Sequence, residues 1–371
     1  MSRKLSTIAF AFVLGIFALS AFQNKTVHSQ TLKTNPTVKN SDTLTIAAVG
    51  DIMLGSTSIN DTFLPPNDGV DMLKGVTPIL SAADIAFGNL EGPMLEGGKT
   101  SKCSPKSTRC FAFRVPTRYG KYLKDAGFDV LSLANNHAAD FGDFGLESTR
   151  NTLDELGIKH AGSDKFGLAT VIIESKGKKI AFIGFATNAI TPNITDLEFA
   201  KKLVTEAGKK ADIVIVSFHG GAEGPTAQNV PQRNEVFAGQ SRGNLPLFSK
   251  TVIDAGADLV LGHGPHVLRG MEIYKDRLVV YSMGNFATYG MFRLENETAL
   301  TAIFEIKLAL NGKFVSGKIH GGKQPGKGGP VLDNSGDAVR KVRELSTADF
   351  PLSAPKINDD GTFTPQMQSS K

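Results

Sequence analysis

Five apolar runs in this chain each end in residues able to bind a cation. Ile46-Ala47-Ala48-Val49 runs into Gly50-Asp51, Ile85-Ala86-Phe87 into Gly88-Asn89-Leu90-Glu91, and Leu131-Ser132-Leu133 into Ala134-Asn135-Asn136-His137. The run from Ile213 to Phe218 delivers His219, with Glu223 just beyond, and Leu259-Val260-Leu261 delivers Gly262-His263-Gly264-Pro265-His266. Of the seven histidines, His137, His219, His263 and His266 therefore follow such runs, whereas His28, His160 and His320 do not belong to this set. Carboxylate, carboxamide and imidazole donors suit Mn, Fe, Zn or Mg better than a soft metal, and the paired imidazoles of the Gly-His-Gly-Pro-His loop are the sharpest local signal. Taken singly, each motif has a plainer reading. Gly50-Asp51 serves as a turn or helix cap, Asn135 or Asn136 shapes a turn, Asp140 and Asp143 cap the next helix, and one histidine after a strand is a hydrogen-bonded core residue. Brought to one place, so many titratable groups are costly to bury without a cation, so one or two divalent ions are the economical reading.

Such residues meet only if the strand ends share an edge. Strands are expected at 44–49, 85–87, 130–133, 179–185, 213–217 and 259–261, separated by helical stretches at 70–82, 117–126, 143–156, 197–209 and 245–255. That alternation predicts an α/β fold, and strand ends within one sheet share a face. The last third changes character: 278–281, 298–308 and 313–320 read as strands of an antiparallel meander, with a turn at Asn311-Gly312. A layered α/β/β/α sandwich, helices outside two sheets, accommodates both parts. The domain is expected over 43–347, closed by a short helix at 335–346, with a disordered tail at 348–371, where Pro, Ser, Asp and Gly dominate.

Arg3 and Lys4 precede a run from Leu5 to Phe22 without a charged residue, which reads as an export signal. Its length is compatible both with cleavage and with an N-terminal anchor, so residues 1–30 are assigned as signal peptide or anchor and 31–42 as linker. The protein is expected outside the cytoplasm. There Cys103 and Cys110, the two cysteines of the chain, are expected to form a loop-closing disulfide across a polar, proline-containing segment. With 41 basic and 36 acidic residues, the net charge of +5 is small for 371 residues and does not mark a nucleic-acid binder. No Trp and only 5 Tyr beside 24 Phe argue for aromatics as core filling, against a lectin-like or single-strand-binding surface.

In this order, Gly50-Asp51, Asn89-Leu90-Glu91, Asn135-Asn136-His137 with Asp140 and Gly142, His219 with Glu223, Gly262-His263-Gly264-Pro265-His266 and Tyr281-Ser282-Met283-Gly284-Asn285-Phe286 resemble the CapA family of poly-γ-glutamate capsule synthesis proteins. More distantly they resemble the calcineurin-like metallophosphatases, with two departures: Met53 stands where the phosphatase pattern carries a His, and the last His pair is spaced by three rather than two. The resemblance implies that Asp51, Glu91, Asn136, His219, His263 and His266 are metal ligands, with Asp51 and His137 catalytic and His137 the acid or oxyanion partner. It places Asn89, Asn135, Glu223, Asn285 and Arg269 on the substrate side, although Asn285 reads equally as a turn residue, and Arg114 is a further candidate partner for an anion. The implied role is a hydrolase-like protein acting on an anionic envelope polymer or a phosphoester. The alternative is a non-catalytic, metal-containing component that assists the subunits of a membrane-bound polymer synthase.

Overall fold

The computed structural model describes residues 42–58, 63–100, 102–103, 111–326 and 329–366. The export segment, nearly all of the linker, and Cys110 with its expected pairing to Cys103 lie outside the described residues. Among those described, no helix is long and apolar enough to cross a membrane.

The chain runs through β1 (Thr43–Met53), α1 (Thr77–Leu80), β2 (Ile85–Leu90), α2 (Gly120–Asp125), β3 (Val130–Ser132), α3 (Gly142–Glu155) and β4 (Lys159–Ala161). There follow β5 (Thr170–Ser175), β6 (Lys178–Phe185), α4 (Leu197–Gly208), β7 (Ile213–His219), β8 (Glu235–Phe237), β9 (Gln240–Gly243), α5 (Leu245–Asp254) and β10 (Leu259–His263). The remainder comprises β11 (Met271–Tyr274), β12 (Arg277–Val280), β13 (Asn285–Thr288), β14 (Leu300–Ala309), β15 (Phe314–Lys323), β16 (Val331–Leu332), α6 (Asp337–Asp349), β17 (Lys356–Ile357) and β18 (Thr362–Thr364). One sheet has the order β17-β18-β15-β14-β1-β2-β3-β4, with β13 also on β1 and β16 on β15; the second has the order β11-β12-β10-β7-β6-β5. The strands that carry the site, β1, β2 and β3 in the first sheet and β7 and β10 in the second, run parallel to their neighbours within that group.

Alternating side chains build the layers. Leu44, Ile46 and Ala48 of β1 pack between the sheets with Phe182 of β6, Ile215 of β7 and Leu261 of β10. The opposite faces carry the helices: Ala47 and Val49 meet Leu123 of α2 and Leu153 of α3, and Val214 and Val216 meet Val204 of α4 and Val252 of α5. The result is the α/β/β/α sandwich, held by three apolar layers.

Three expectations are corrected. The strand ends do not belong to one sheet but to the same rim of two, and the C-terminal meander is divided: β12 lies parallel to β10 in the second sheet, while β14 and β15 form an antiparallel pair in the first. The helix expected at 70–82 is confined to α1, because Pro78 is tolerated only in a helix's first turn and 70–76 is a series of turns. The expected disordered tail, as far as residue 366 where the described residues end, pairs instead with the first sheet through β18. Composition hid three anchors there: Phe363 is fully buried and stacked on Phe314, Ile357 is buried, and Phe350 stacks on Tyr281.

Candidate metal centre

Strand alternation, continued past the hydrophobic layer, carries polar side chains into the gap between the sheets. Ile85 and Phe87 of β2 face that gap, so Asn89 does too, and Glu91 follows it. By the same parity, Ile213 and Ile215 lead to His219, and Leu259 and Leu261 lead to His263, which the register sets beside His219. On β1 the period slips. Val49 and Ile52, three apart, both face the helix layer, and pairing to β2 and β13 shifts register between Ala48 and Ile52. This bulge turns Asp51 inwards. Gly50 permits it by backbone contact: a Cβ there would stand 1.9 Å from the Gly284 carbonyl oxygen, which accepts the Asp51 N–H at 2.9 Å.

Asp51 lies at the middle of the resulting cluster. Its Oδ1 accepts from Asn89 Nδ2 at 2.8 Å and lies 3.3 Å from His263 Nδ1, while Oδ2 is 3.0 Å from His266 Nδ1. On its other side, His266 Nε2 is 3.7 Å from Glu91 Oε1 and 3.9 Å from Glu223 Oε2. His219 Nε2 is 3.9 Å from Glu91 Oε1, and the His219 and His266 ring centroids are 6.3 Å apart. Sequence positions as distant as 51 and 266 thus share one centre. His266 occupies the left-handed backbone region at φ 58°, costly for a non-glycine residue, and the Asn285 amide donates to its carbonyl oxygen at 3.2 Å.

His137 forms a second wall. Its Nδ1 is 2.7 Å from Asp140 Oδ2, and the same oxygen accepts the Phe113 N–H at 2.8 Å, so Asp140 holds the imidazole rather than capping α3. Lys102 pairs with Asp140 Oδ1 and lies 3.1 Å from His137 Nδ1. Phe113 stacks on His137 at 4.1 Å, and Phe292 leans on both Phe113 and His266, at 5.5 and 5.0 Å.

Electrostatics records how much charge is packed here. Burial pushes Glu91 up to about 8, with His266 opposing and Asp51 and Glu223 adding to the rise. Burial would raise Asp51 too, but His263 and His266 outweigh it and hold the carboxyl well below its ordinary value. For His266 burial acts downwards, yet Glu91, Asp51 and Glu223 together raise it to about 10. Burial pulls His219 well below its usual range and lowers His137 against the pull of Asp140. An imidazolium at His266 is thus the cluster's own substitute for a cation.

The donor set fits a metal ion. Both oxygens of Glu91, Nε2 of His219, both ring nitrogens of His263 and Oδ1 of Asn136 are buried without a hydrogen-bond partner. Buried polar atoms are ordinarily satisfied, and an orphaned group costs about 1–3 kcal/mol or more. Ligand atoms of Asp51, Glu91 and His266 lie within 4.8 Å of one another, close enough to share one ion.

Other expected site residues are placed differently. Asn89 and Asn135, expected on the substrate side, are fully buried and bonded internally: Asn135 Nδ2 donates to Asn89 Oδ1 at 3.0 Å and to the Leu90 carbonyl oxygen at 2.8 Å, and its Oδ1 accepts the His137 N–H at 3.0 Å. Asn285 spends its amide on the carbonyl oxygens of His266 and Thr298. Arg269 is fully buried against Glu235, with Nη1 and Nη2 donating to its two oxygens at 2.9 and 2.8 Å, so its guanidinium is spent within the protein. Arg114 clamps loops through the carbonyl oxygens of Thr57, Gly97 and Gly98. Glu223, at the open side, keeps its position beside the centre. Phe113, Phe292, Lys102 and Arg242 escape sequence reading because they arrive on loops or on a short hairpin with no periodic pattern; the Lys102-Cys103 adjacency was the available hint.

The family model of the bacterial capsule synthesis protein PGA_cap matches residues 45–289, a span that includes the whole cluster. The chain belongs to that family. The PGA biosynthesis protein CapA of Bacillus subtilis (strain 168) is 32% identical over 287 residues, covering 74% of this chain and 70% of that protein. The capsule biosynthesis protein CapA of Bacillus anthracis is 29% identical over 329 residues, covering 83% of this chain and 74% of that protein. Among solved structures, the NAD nucleotidase of Haemophilus influenzae aligns with a TM-score of 0.39 at 12% identity, over 82% of this chain and 56% of that one. A likeness of that size adds nothing to what the two sheets already establish.

Proposed function

We propose that the protein is an exported, metal-dependent, hydrolase-like member of the capsule synthesis family, acting on poly-γ-glutamate or a related anionic polymer or phosphoester of the cell envelope. Its ligands are Asp51, Glu91, Asn136, His219, His263 and His266, and its ion is one or two of manganese, iron, zinc or magnesium. The observation that carries this reading is the gathering of buried donors from the ends of β1, β2, β7 and β10 about one gap, where both Glu91 oxygens, His219 Nε2 and both His263 nitrogens have no hydrogen-bond partner. Export is supported by the uncharged run from Leu5 to Phe22 behind Arg3 and Lys4.

A bound divalent ion supplies Lewis-acid polarisation of an ester or amide. The chain's own residues do the rest. Asn89 orients the Asp51 carboxylate, and Asn135 orients Asn89 and the His137 backbone. Asp140 engages His137 at Nδ1, which leaves Nε2 as the ring nitrogen turned to a leaving group, to be protonated from the imidazolium form that Asp140 favours against burial. Phe113 and Phe292 pack against the His137 and His266 rings on this side.

The test is elemental analysis of the purified protein beside a His263→Ala His266→Ala variant, with turnover assayed on phosphodiester and γ-glutamyl substrates. Metal and turnover present in the parent and lost from the variant support the proposal. Metal retained at full occupancy in the variant overturns the ligand assignment. Metal bound by the parent without turnover on any substrate transfers the role to a structural metal in an assembly component of a membrane-bound synthase.

A further inference from the structure

Two buried arginines flank the His219 loop, and their surroundings treat them differently. Arg269 is saturated: besides the two bonds to Glu235, its Nε donates to the Ala227 carbonyl oxygen at 2.7 Å and Nη2 reaches that of Ala222 at 3.2 Å. Arg242, on β9, is only 3% exposed, yet its one aligned hydrogen bond among the described residues runs from Nε to the Gly221 carbonyl oxygen at 3.1 Å. Its Nη2 stands 2.8 Å from Glu223 Oε1 but is not aligned to donate, and remains a buried donor without a hydrogen-bond partner. A guanidinium is a planar fork built for bidentate contact, and this one is held by a single aligned hydrogen bond and an ion pair with Glu223 beside the proposed cation site.

Glu223 fills the space between that fork and the centre. Its Oε1 faces Arg242 and its Oε2 lies 3.9 Å from His266 Nε2. The side chain is 18% exposed, whereas those of Asp51 and Glu91 are at 0%, so Glu223 is the cluster carboxylate that opens to solvent. Among the described residues no aligned hydrogen bond fixes it, and it is carried between Gly221 and Gly224, both at positive φ.

We propose that Arg242 anchors a carboxylate of the substrate, and that Glu223 is a displaceable cap holding that anchor in the ligand-free protein. The inference rests on the proposed function above and names what that site grips. A carboxylate replacing a carboxylate preserves charge, planarity and the two-oxygen match to the fork, while a tetrahedral phosphate dianion brings extra negative charge towards Glu91 and Asp51. A group on Arg242 lies within one carboxylate's width of the His266 region, and a γ-glutamyl chain carries an α-carboxylate a few bonds from each amide.

Isothermal titration calorimetry of the full-length, manganese-loaded protein tests this, with γ-glutamylglutamate and inorganic phosphate as probes and manganese content measured on every sample. Glu223→Ala is expected to bind γ-glutamylglutamate about tenfold more tightly than the parent, through release of a charge-assisted contact. Arg242→Met in the Glu223→Ala background is expected to abolish the gain, and Arg242→Lys to return part of it, all with unchanged manganese. Three results overturn the proposal. Unchanged or weaker dipeptide binding in Glu223→Ala removes the cap, and an equal gain for phosphate removes the carboxylate preference. Loss of manganese from Glu223→Ala makes Glu223 a ligand instead. A parent protein that takes up no manganese, yet shows the Arg242-dependent gain, sinks the metal reading alone and leaves the anchor standing.

Discussion

The two sheets bring opposite kinds of preparation to the same gap. On the first-sheet side the polar groups are wired to one another: Asn135 to Asn89, Asn89 to Asp51, and Asp140 to His137. On the second-sheet side His219 Nε2 and both nitrogens of His263 have no hydrogen-bond partner, and His266 is held in a strained backbone conformation. Glu91 is the exception on the first side, since both its oxygens are orphaned. The difference assigns the source of order. The protein fixes the first side by itself, whereas the second, with Glu91, leaves its donors open, the division expected of the proposed metal site, where outer hydrogen bonds orient the inner ligands.

Substitution on each side turns this contrast into measurements that diverge. The largest effect is expected for His263→Leu, which removes two unsatisfied nitrogens and sets an apolar side chain beside Phe87, whose ring is 6.0 Å from that of His263. Metal content by elemental analysis falls to background, while the melting temperature of the chelator-treated protein changes little, the removal of two orphaned nitrogens offsetting the loss of His263 beside the Asp51 carboxylate. Next comes Asn89→Ala, which breaks the internal network. Urea unfolding of the metal-free protein is expected to show a loss of about 2–3 kcal/mol, and metal affinity to fall about 10–100-fold. Equal destabilisation of the metal-free protein by the two variants erases the contrast.

The contrast also explains what the sequence made legible. Parity exposed the second-sheet histidines: each inward position of β7 and β10 is apolar or small until the strand reaches His219 or His263. The same parity fails on β1, where the bulge reverses it, and Asp51 was recognisable only from its Gly-Asp motif. Sheet membership was invisible, because alternation states which way a side chain points and not which of two sheets carries it. The roles of Asn89 and Asn135 were misplaced for a related reason. Residue type announces a hydrogen-bonding group, but only packing decides whether protein or ligand receives the bond. At the C-terminus Phe350, Ile357 and Phe363 are too widely spaced to register as a periodic pattern, yet each finds a buried place.

The smallest expected effect, the pH dependence of the metal-free protein, apportions the cost between the sides. Glu91 rises from an ordinary 4.5 to about 8 on folding, because burial disfavours its charged form. Its ionisation therefore opposes the fold, and stability is lost as pH climbs from about 4.5 to about 8. His266 rises from 6.5 to about 10 despite burial, under the pull of Glu91, Asp51 and Glu223, so its contribution is complete below 6.5 and vanishes as pH passes 10. Asp51, held low, loses its contribution only on the acid side, below its ordinary 3.8. His219 and His137, lowered by burial, contribute with the opposite sign as pH rises towards 6.5, so it is from about pH 7 to 9 that Glu91 and His266 act in the same direction unopposed, and there the melting temperature of the chelated protein is expected to fall steadily. Glu91→Gln flattens the lower part of that fall and His266→Gln the upper part. Added manganese opposes the whole of it, since a cation binds the deprotonated ligands and binds them better as pH rises. A metal-free protein that gains stability across this range, or a Glu91→Gln profile superimposable on the parent, contradicts a second side that waits for a cation.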